Sequence, residues 1–352
     1  MSGNLTVTVL KDGASAVNNL TFDANGNTTA GGTVAMASSF LRNRIINGNM
    51  YIAQRGTSAT VTAGTAVPTI STGYPCLDRW FVYSTGANVT AAQVAGSGSN
   101  KNLLQITGAA SVTAVGVGQR IEQLNSYDLA GQTCTLSVNI ANSVLTTVTW
   151  TASYATTADT FGTIGTPTKT QIATGTFTVS STLTQYTANI AIPAAATTGI
   201  EILFTVGAQT SGTWQIGNVQ LEVGTVATPF ERRQYGQELA LCQRYYERSY
   251  EYGTATGAAT TTASAQLPIA AGASNYQGVI PYVEKRAQPT IAFYDCAGNL
   301  TRVTSFSAGG ATQTDNQNVI ATYSAGQRGG WIRISSAPAG SIAYHWTAAA
   351  EL

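Results

Sequence analysis

Charge is what this sequence has least of. Only 9% of its 352 residues are charged, against about 25% in an average soluble protein. The net charge of +1 supplies no electrostatic footprint for nucleic acid or an anionic membrane. The hydrophobic share of 43% is ordinary, so the chain lacks the low hydrophobicity and high charge that keep a polypeptide disordered. No stretch approaches the ~20 apolar residues of a membrane helix. The opening residues Met1-Ser2-Gly3-Asn4-Leu5 show no basic segment followed by an apolar run. A secretion signal is therefore not expected, and synthesis in a cytoplasm is.

Histidine and clustered cysteine are nearly absent too. His345 is the one histidine, and Cys76, Cys134, Cys242 and Cys296 lie far apart, with no CxxC pair. That excludes the usual zinc spacings, so no metal or cofactor is expected. The cysteines read as core thiols, Cys134 most plainly, since it sits in an alternating run. Ser-His-Asp chemistry would rest on His345 alone, which stands in a strand-like run between Tyr344 and Trp346 and reads as structural. GxSxG, P-loop and HExxH motifs do not occur. Glycoside hydrolysis needs only two carboxylates. Asp78, Glu122, Glu201 and Glu222 have the most suggestive neighbours. Each has a simpler role in a turn, or in a strand paired with an arginine such as Arg120 or Arg79. No catalytic residue is assigned.

What replaces the missing charge is Thr, Ala, Ser, Asn and Gly; Thr alone is about one residue in seven. Thr is β-branched, and its hydroxyl can face water, so a Thr-rich strand can be half-buried without charges. The patterning follows. Cys134, Leu136, Val138 and Ile140 alternate with polar residues, as do Tyr186, Ala188, Ile190 and Ile192. Ile200 to Phe204 is continuously apolar except for Glu201, as in a central strand. Residues 43–230 therefore read as a β-sandwich or barrel. Before it, residues 1–42 read as an N-terminal arm: a strand at Leu5–Val9, a second at Leu20–Phe22, and a small, polar linker from Thr28 to Ser39. After it, within 231–251, Leu239, Cys242, Tyr246 and Tyr250 fall on one helical face, with Glu238, Arg244, Glu247 and Arg248 elsewhere. That predicts a single linking helix over 236–250. Residues 252–352 return to β, with runs at Val279–Val283, Ile291–Tyr294, Trp331–Ile334 and Ile342–Trp346, and read as a smaller β-sandwich. The fold class is mainly β.

Trp80, Trp150 and Trp214 lie beside alternating runs and read as core. Trp331, Tyr323 and Tyr276 stand nearer Gly/Ser/Asn-rich loops and are the candidates for stacking on a glycan. Arg outnumbers Lys by 13 to four, which suits buried or interface ion pairs.

Three stretches carry a resemblance. They are Arg42-Asn43-Arg44-Ile45-Ile46-Asn47-Gly48-Asn49-Met50 with Gln54-Arg55-Gly56-Thr57; Asp78-Arg79-Trp80; and the run from Trp214 through Gly224, continuing over Ala227 to Arg233 and Leu239 to Tyr246. Together they resemble tail-fibre and minor tail structural proteins of tailed bacteriophages. The resemblance covers residues 42–250 well and the last hundred loosely. It implies a virion protein whose central domain is a jelly roll similar to carbohydrate-binding modules. Its helix would link to a distal β domain, and its N-terminal arm would dock on other virion proteins. A homo-oligomer, commonly a trimer, and contact with host-surface polysaccharide are implied, with no nucleic-acid partner and no membrane insertion. The resemblance singles out Arg55, Asp78, Arg79, Trp80, Glu222, Arg232 and Arg233. They are expected to be structural, the charged ones as buried pairs tying strand ends to the helix. No long shaft, β-helix or collagen-like segment is present, so the expected object is a short tail fibre or appendage. The alternatives are a capsid decoration or head-fibre protein without a receptor role, and a small polysaccharide depolymerase.

Overall fold

The computed structural model describes residues 41–269, 275–307, 312–317, 320–335 and 340–352, with three short strands before them. In those three strands, and at 267–269, 275–277, 320–323 and 334–335, it describes the backbone alone. The chain forms two compact units, Met1–Arg42 and Asn43–Leu352.

In the first unit β1 (Val9–Leu10), β2 (Leu20–Phe22) and β3 (Thr28–Ala30) make an antiparallel sheet. The expected strand at Leu20–Phe22 is present. Thr28–Ala30, expected within a linker, is instead a strand whose partner is β2; small β-branched residues suffice where the ladder itself supplies the hydrogen bonds. Most of the run at Leu5–Val9, and the remainder of the linker, lie outside the described residues.

The second unit begins with eleven strands. They are β4 (Ser58–Val61), β5 (Phe81–Thr85), β6 (Val89–Ala95), β7 (Asn102–Thr107), β8 (Ala114–Ile121), β9 (Thr133–Asn142), β10 (Thr147–Ala155), β11 (Lys169–Thr178), β12 (Thr184–Ala191), β13 (Ile200–Val206) and β14 (Thr213–Val223). They form two antiparallel sheets, ordered β11-β10-β13-β8-β5 and β12-β9-β14-β7-β6-β4, and build a jelly-roll β-sandwich. The alternation read from the sequence is the inward face. Cys134, Leu136, Val138 and Ile140 are fully buried and pack with Trp80, Trp150, Trp214 and Phe204. Each such aliphatic side chain contributes about 1.5–3 kcal/mol on burial. β13 lies between β10 and β8, which explains its nearly continuous apolar run. On β8, Gly116 and Gly118 face Tyr83 and Phe81 of β5. A Cβ at Gly118 would lie 2.3 Å from the Phe81 ring, so glycine there lets an aromatic ring lie flat across the neighbouring strand.

The helix is shorter than its pattern suggests: α1 spans Tyr235–Gln243. Tyr246–Arg248 is β15, paired with residues 347–349. The spacing of Tyr246 and Tyr250 that fits a helix also fits the period of a strand. A ladder with a distant segment decides between the two readings. Glu238, expected on a polar face, is buried against Arg233, with Nη1 to Oε1 at 3.3 Å. Cys242 and Tyr245 join Ile46, Ile52, Phe161 and Leu352 in a second apolar cluster.

The rest comprises β16 (Ala265–Ile269), β17 (Asn275–Ile280), β18 (Thr290–Tyr294), β19 (Val303–Phe306), β20 (Gln313–Gln317), β21 (Ile320–Gly326), β22 (Gly329–Ser335) and β23 (Gly340–Ala349). One sheet runs β15-β23-β19-β20, with β16 and β18 also on β23; a second runs β17-β22-β21. Residues 340–344 of β23 pair with β16 and 341–343 with β19, while 347–349 pair with β15 and 345–349 with β18. Phe293, Ile332, Ile342, Tyr344 and Trp346 fill the core of this region.

Candidate functional site

Most of the charged motif residues converge inside the second unit. Arg55 Nη2 donates to Glu351 Oε1 at 3.1 Å, and its Nη1 lies 3.5 Å from Asp78 Oδ1. Arg79 donates to Glu351 and to the Arg120 carbonyl. Both guanidinium groups stack on tyrosines, Arg55 3.6 Å above Tyr246 and Arg79 3.5 Å above Tyr245. Burial works against the Arg55 charge, but Glu351 and Asp78 outweigh it and raise its pKa. Burial lifts Asp78 to about 6, against the opposing pull of Arg55 and Gln54. Trp80 is buried and its indole N–H donates to the Asn47 carbonyl at 2.9 Å. Arg233 donates to the Ile45 and Asn43 carbonyls. Glu222 accepts from Thr228 N at 2.8 Å and from Gln220 Nε2 at 2.9 Å. Buried charges at this density need partners, and each of these has at least one, although Arg55 Nη1, Arg79 Nε and Arg233 Nε make no hydrogen bond among the described residues. Arg232 is the exception. It is exposed, because its neighbours Glu231 and Arg233 turn inward and alternation turns it outward.

The four carboxylates considered for hydrolysis are each held. Asp78 is bound by Gln54, and Glu222 as described. Glu201 is bound by Arg120 and Lys169, and Glu122 by Arg244 at 2.8 Å. Glu122 thus pairs with an arginine as expected, but with Arg244; Arg120 and Arg79, named as possible partners for Glu122 and Glu222, face Glu201 and Glu351. His345 is buried and stacked on Tyr250 at 4.0 Å. Its Nε2 meets the Thr260 carbonyl at 3.0 Å and its Nδ1 meets Ser249 Oγ at 3.1 Å. Nε2 must therefore carry the proton. Burial lowers its pKa. All four cysteines are buried and unpaired.

The aromatic candidates lie on β17, β21 and β22. Tyr276 is opposite Ile334 and Tyr323 opposite Ile332, whereas Trp331 is opposite Val279 and Ser324. Of the three, Trp331 is the one whose side chain is described. It is 40% exposed and lines an open groove with Val279, Glu284 and Arg328. The side chains of Tyr276 and Tyr323 lie outside the described residues.

The arrangement best suited to a ligand lies elsewhere, on the six-stranded sheet. A cleft of about 360 Å³ is lined by Ser99, Asn139, Gln185, Asn218, Pro229, Phe230 and Arg232. Asn139 and Gln185 are directly paired across β9 and β12. Asn218 is placed by a β-bulge, for the β14–β9 register slips between Gly217 and Gln220 and Asn218 takes φ +44°. Its Nδ2 donates to the Ser99 carbonyl at 3.3 Å, and Asn139 Nδ2 donates to Asn100 Oδ1 at 3.1 Å. The side-chain oxygens of Asn139 and Asn218 have no hydrogen-bond partner among the described residues. The cleft therefore offers two buried acceptors, a further amide, a hydroxyl, an aromatic ring and a cation. This is the chemistry that suits a polyhydroxylated ligand. The sequence held one signal for it, the Gly217-Asn218 pair inside an otherwise regular strand, which marks a bulge.

With this geometry the chain falls in the class of jelly-roll β-sandwich proteins, here followed by two further antiparallel sheets. No family model and no curated protein matches it. Among solved structures it is similar to the enzymatically active domain of bacteriophage CBA120 tailspike protein 4, at 18% identity over 52% of this chain and TM-score 0.32. The match spans 22% of the tailspike chain, about a fifth of its length. A putative sugar binding protein from Bacteroides thetaiotaomicron matches at 14% identity, over 52% of this chain and 100% of that one, with TM-score 0.33. A family 11 carbohydrate-binding module from Clostridium thermocellum matches at 13% identity, over 49% and 99%, with TM-score 0.29.

Proposed function

We propose that this chain is a structural component of a bacteriophage virion, a short tail fibre or tail appendage. In this reading residues 1–42 dock on other virion proteins. The chain assembles as a homotrimer and binds host-surface glycan without cutting it. The virion reading rests on the three sequence stretches, whose residues mostly build the interior of the second unit. The glycan reading rests on one observation: two unpartnered amide oxygens at a cleft that also presents Phe230 and Arg232. A hydroxyl-rich ligand satisfies such acceptors, and several weak sites on one oligomer reinforce each other.

The test is binding of purified protein to immobilised host capsule or lipopolysaccharide, with reducing-end release measured in parallel. Binding without sugar release, weakened about tenfold (1.4 kcal/mol) by Phe230→Ala, is expected. Sugar release that disappears on replacing a carboxylate would move the assignment to a depolymerase. Failure to bind any surface glycan would leave a decoration protein.

A further inference from the structure

Two exposed cations and three tyrosines lie along one path from the cleft. Arg232 lines the cleft together with Ser99. Two residues on, in the β6–β7 loop, Lys101 is exposed. Its Nζ lies 3.3 Å from the Tyr51 hydroxyl and 5.0 Å from the centre of that ring. Tyr51 packs edge-on against Tyr235 at 5.2 Å, and Tyr235 against Tyr252 at 6.3 Å. Tyr235 is 41% exposed and Tyr252 54%. These rings are not consumed by the core. They support one another edge to face, which holds each in place and leaves ring surface open.

The charge along this path is one-sided at the cleft end. Neither Lys101 nor Arg232 is in an ion pair among the described residues, whereas Lys169, Lys285 and most of the arginines are. The nearby carboxylates Glu231 and Glu238 lie against Arg233. Glu251, the neighbour of Tyr252, is exposed, so the positive end of the path is the end at the cleft. In a chain with so few charges, one uncompensated cation lining the cleft and a second two residues beyond Ser99 of its wall favour an anionic ligand, and the rings beyond them favour the apolar faces of further sugar units.

We infer that the glycan surface runs from the cleft over Lys101 to the Tyr51–Tyr235–Tyr252 strip, and that it takes an extended acidic polysaccharide, its carboxylates at Arg232 and Lys101. This rests on the glycan reading above and specifies its ligand.

The experiment uses the full chain on a panel of immobilised bacterial polysaccharides, half bearing uronic acids and half uncharged. Size-fractionated fragments of whichever polysaccharides bind are then titrated in solution. Tighter binding to the acidic set is expected, weakening as salt rises. Lys101→Ala with Arg232→Ala should reduce it at least tenfold at low salt and flatten the salt dependence. Affinity should rise with fragment length, and Tyr252→Ala should remove that rise while leaving binding of a single repeat unchanged; Tyr252→Phe should retain it. Tyr252 is exposed, so thermal melting of these variants should match that of the parent. Binding confined to uncharged polysaccharides, or unaffected by the double substitution, overturns the acidic ligand and leaves the glycan reading standing. Equal affinity for one repeat and for several overturns the extended surface. No binding to any member of the panel overturns the glycan reading itself, and the inference with it.

Discussion

Glu351 answers two buried guanidinium groups, Arg55 and Arg79, at once. Glu351→Gln keeps the shape and removes the charge, leaving Arg79 buried with an unpaired cation. Breaking a buried pair in this way costs about 3–5 kcal/mol, so a large fall in melting temperature is expected, measured by circular dichroism. Replacing the exposed Arg328, whose partner Glu284 is also exposed, should change melting little, since surface pairs are worth about 0–1 kcal/mol. His345 supplies a pH test. Its pKa is lowered by burial, so the unfolded state binds the proton more readily. Its contribution to stability is therefore complete above the unfolded value of about 6.5 and falls as pH drops through that value. Asp78, raised to about 6, acts in the opposite direction, its neutral form favouring the folded state below that pH. The His345 effect is isolated by comparison with His345→Gln. The melting-temperature gap between parent and variant should narrow as pH falls from 7 to 5, and a gap independent of pH would refute the assignment.

At the scale of elements, the strands were legible wherever apolar and polar residues alternate, as at Cys134 to Ile140, because one buried face writes period two directly into the sequence. The end of α1 was not legible, since Tyr246 to Tyr250 satisfies both periods and the choice depends on pairing with residues 347–349. The cleft was not legible for a related reason. Asn139, Gln185 and Asn218 are unremarkable polar residues until strand register brings them together, and Phe230 follows the last strand of the sandwich. The fates of Arg55 and Arg79 were legible as burial but not as partners, because Glu351 lies far away in the chain. The glycines of β8 yield a prediction at this scale. Gly118→Ala drives a methyl group into the Phe81 ring, and overpacking of this kind costs about 1–3 kcal/mol. Gly207→Ala, where a Cβ meets nothing within 4 Å, should be close to neutral. Chemical denaturation of the two variants side by side separates them.

For the whole molecule, the division into Met1–Arg42 and Asn43–Leu352 implies that the second unit carries its own cores. A fragment of residues 43–352 should melt at the same temperature as the full chain; a lowered or broadened transition would show that the arm contributes to that fold. In the proposed role the same fragment retains glycan binding and fails to enter virions. A native mass near three times 36.4 kDa is expected for the full chain by light scattering, and a clean monomer would count against the trimer.

β23 has a consequence for how the protein is made. It follows every strand it pairs with, and each half of it is flanked by two partners. During synthesis, at about 5–20 residues per second, β15, β16, β18 and β19 must wait without their central neighbour, while the sandwich ahead of them already has all its strands. The residue that neutralises Arg55 and Arg79 arrives just behind β23. A chain that stops before β23 therefore leaves β15, β16, β18 and β19 without the strand they share, and leaves Arg55 and Arg79 without their shared anion.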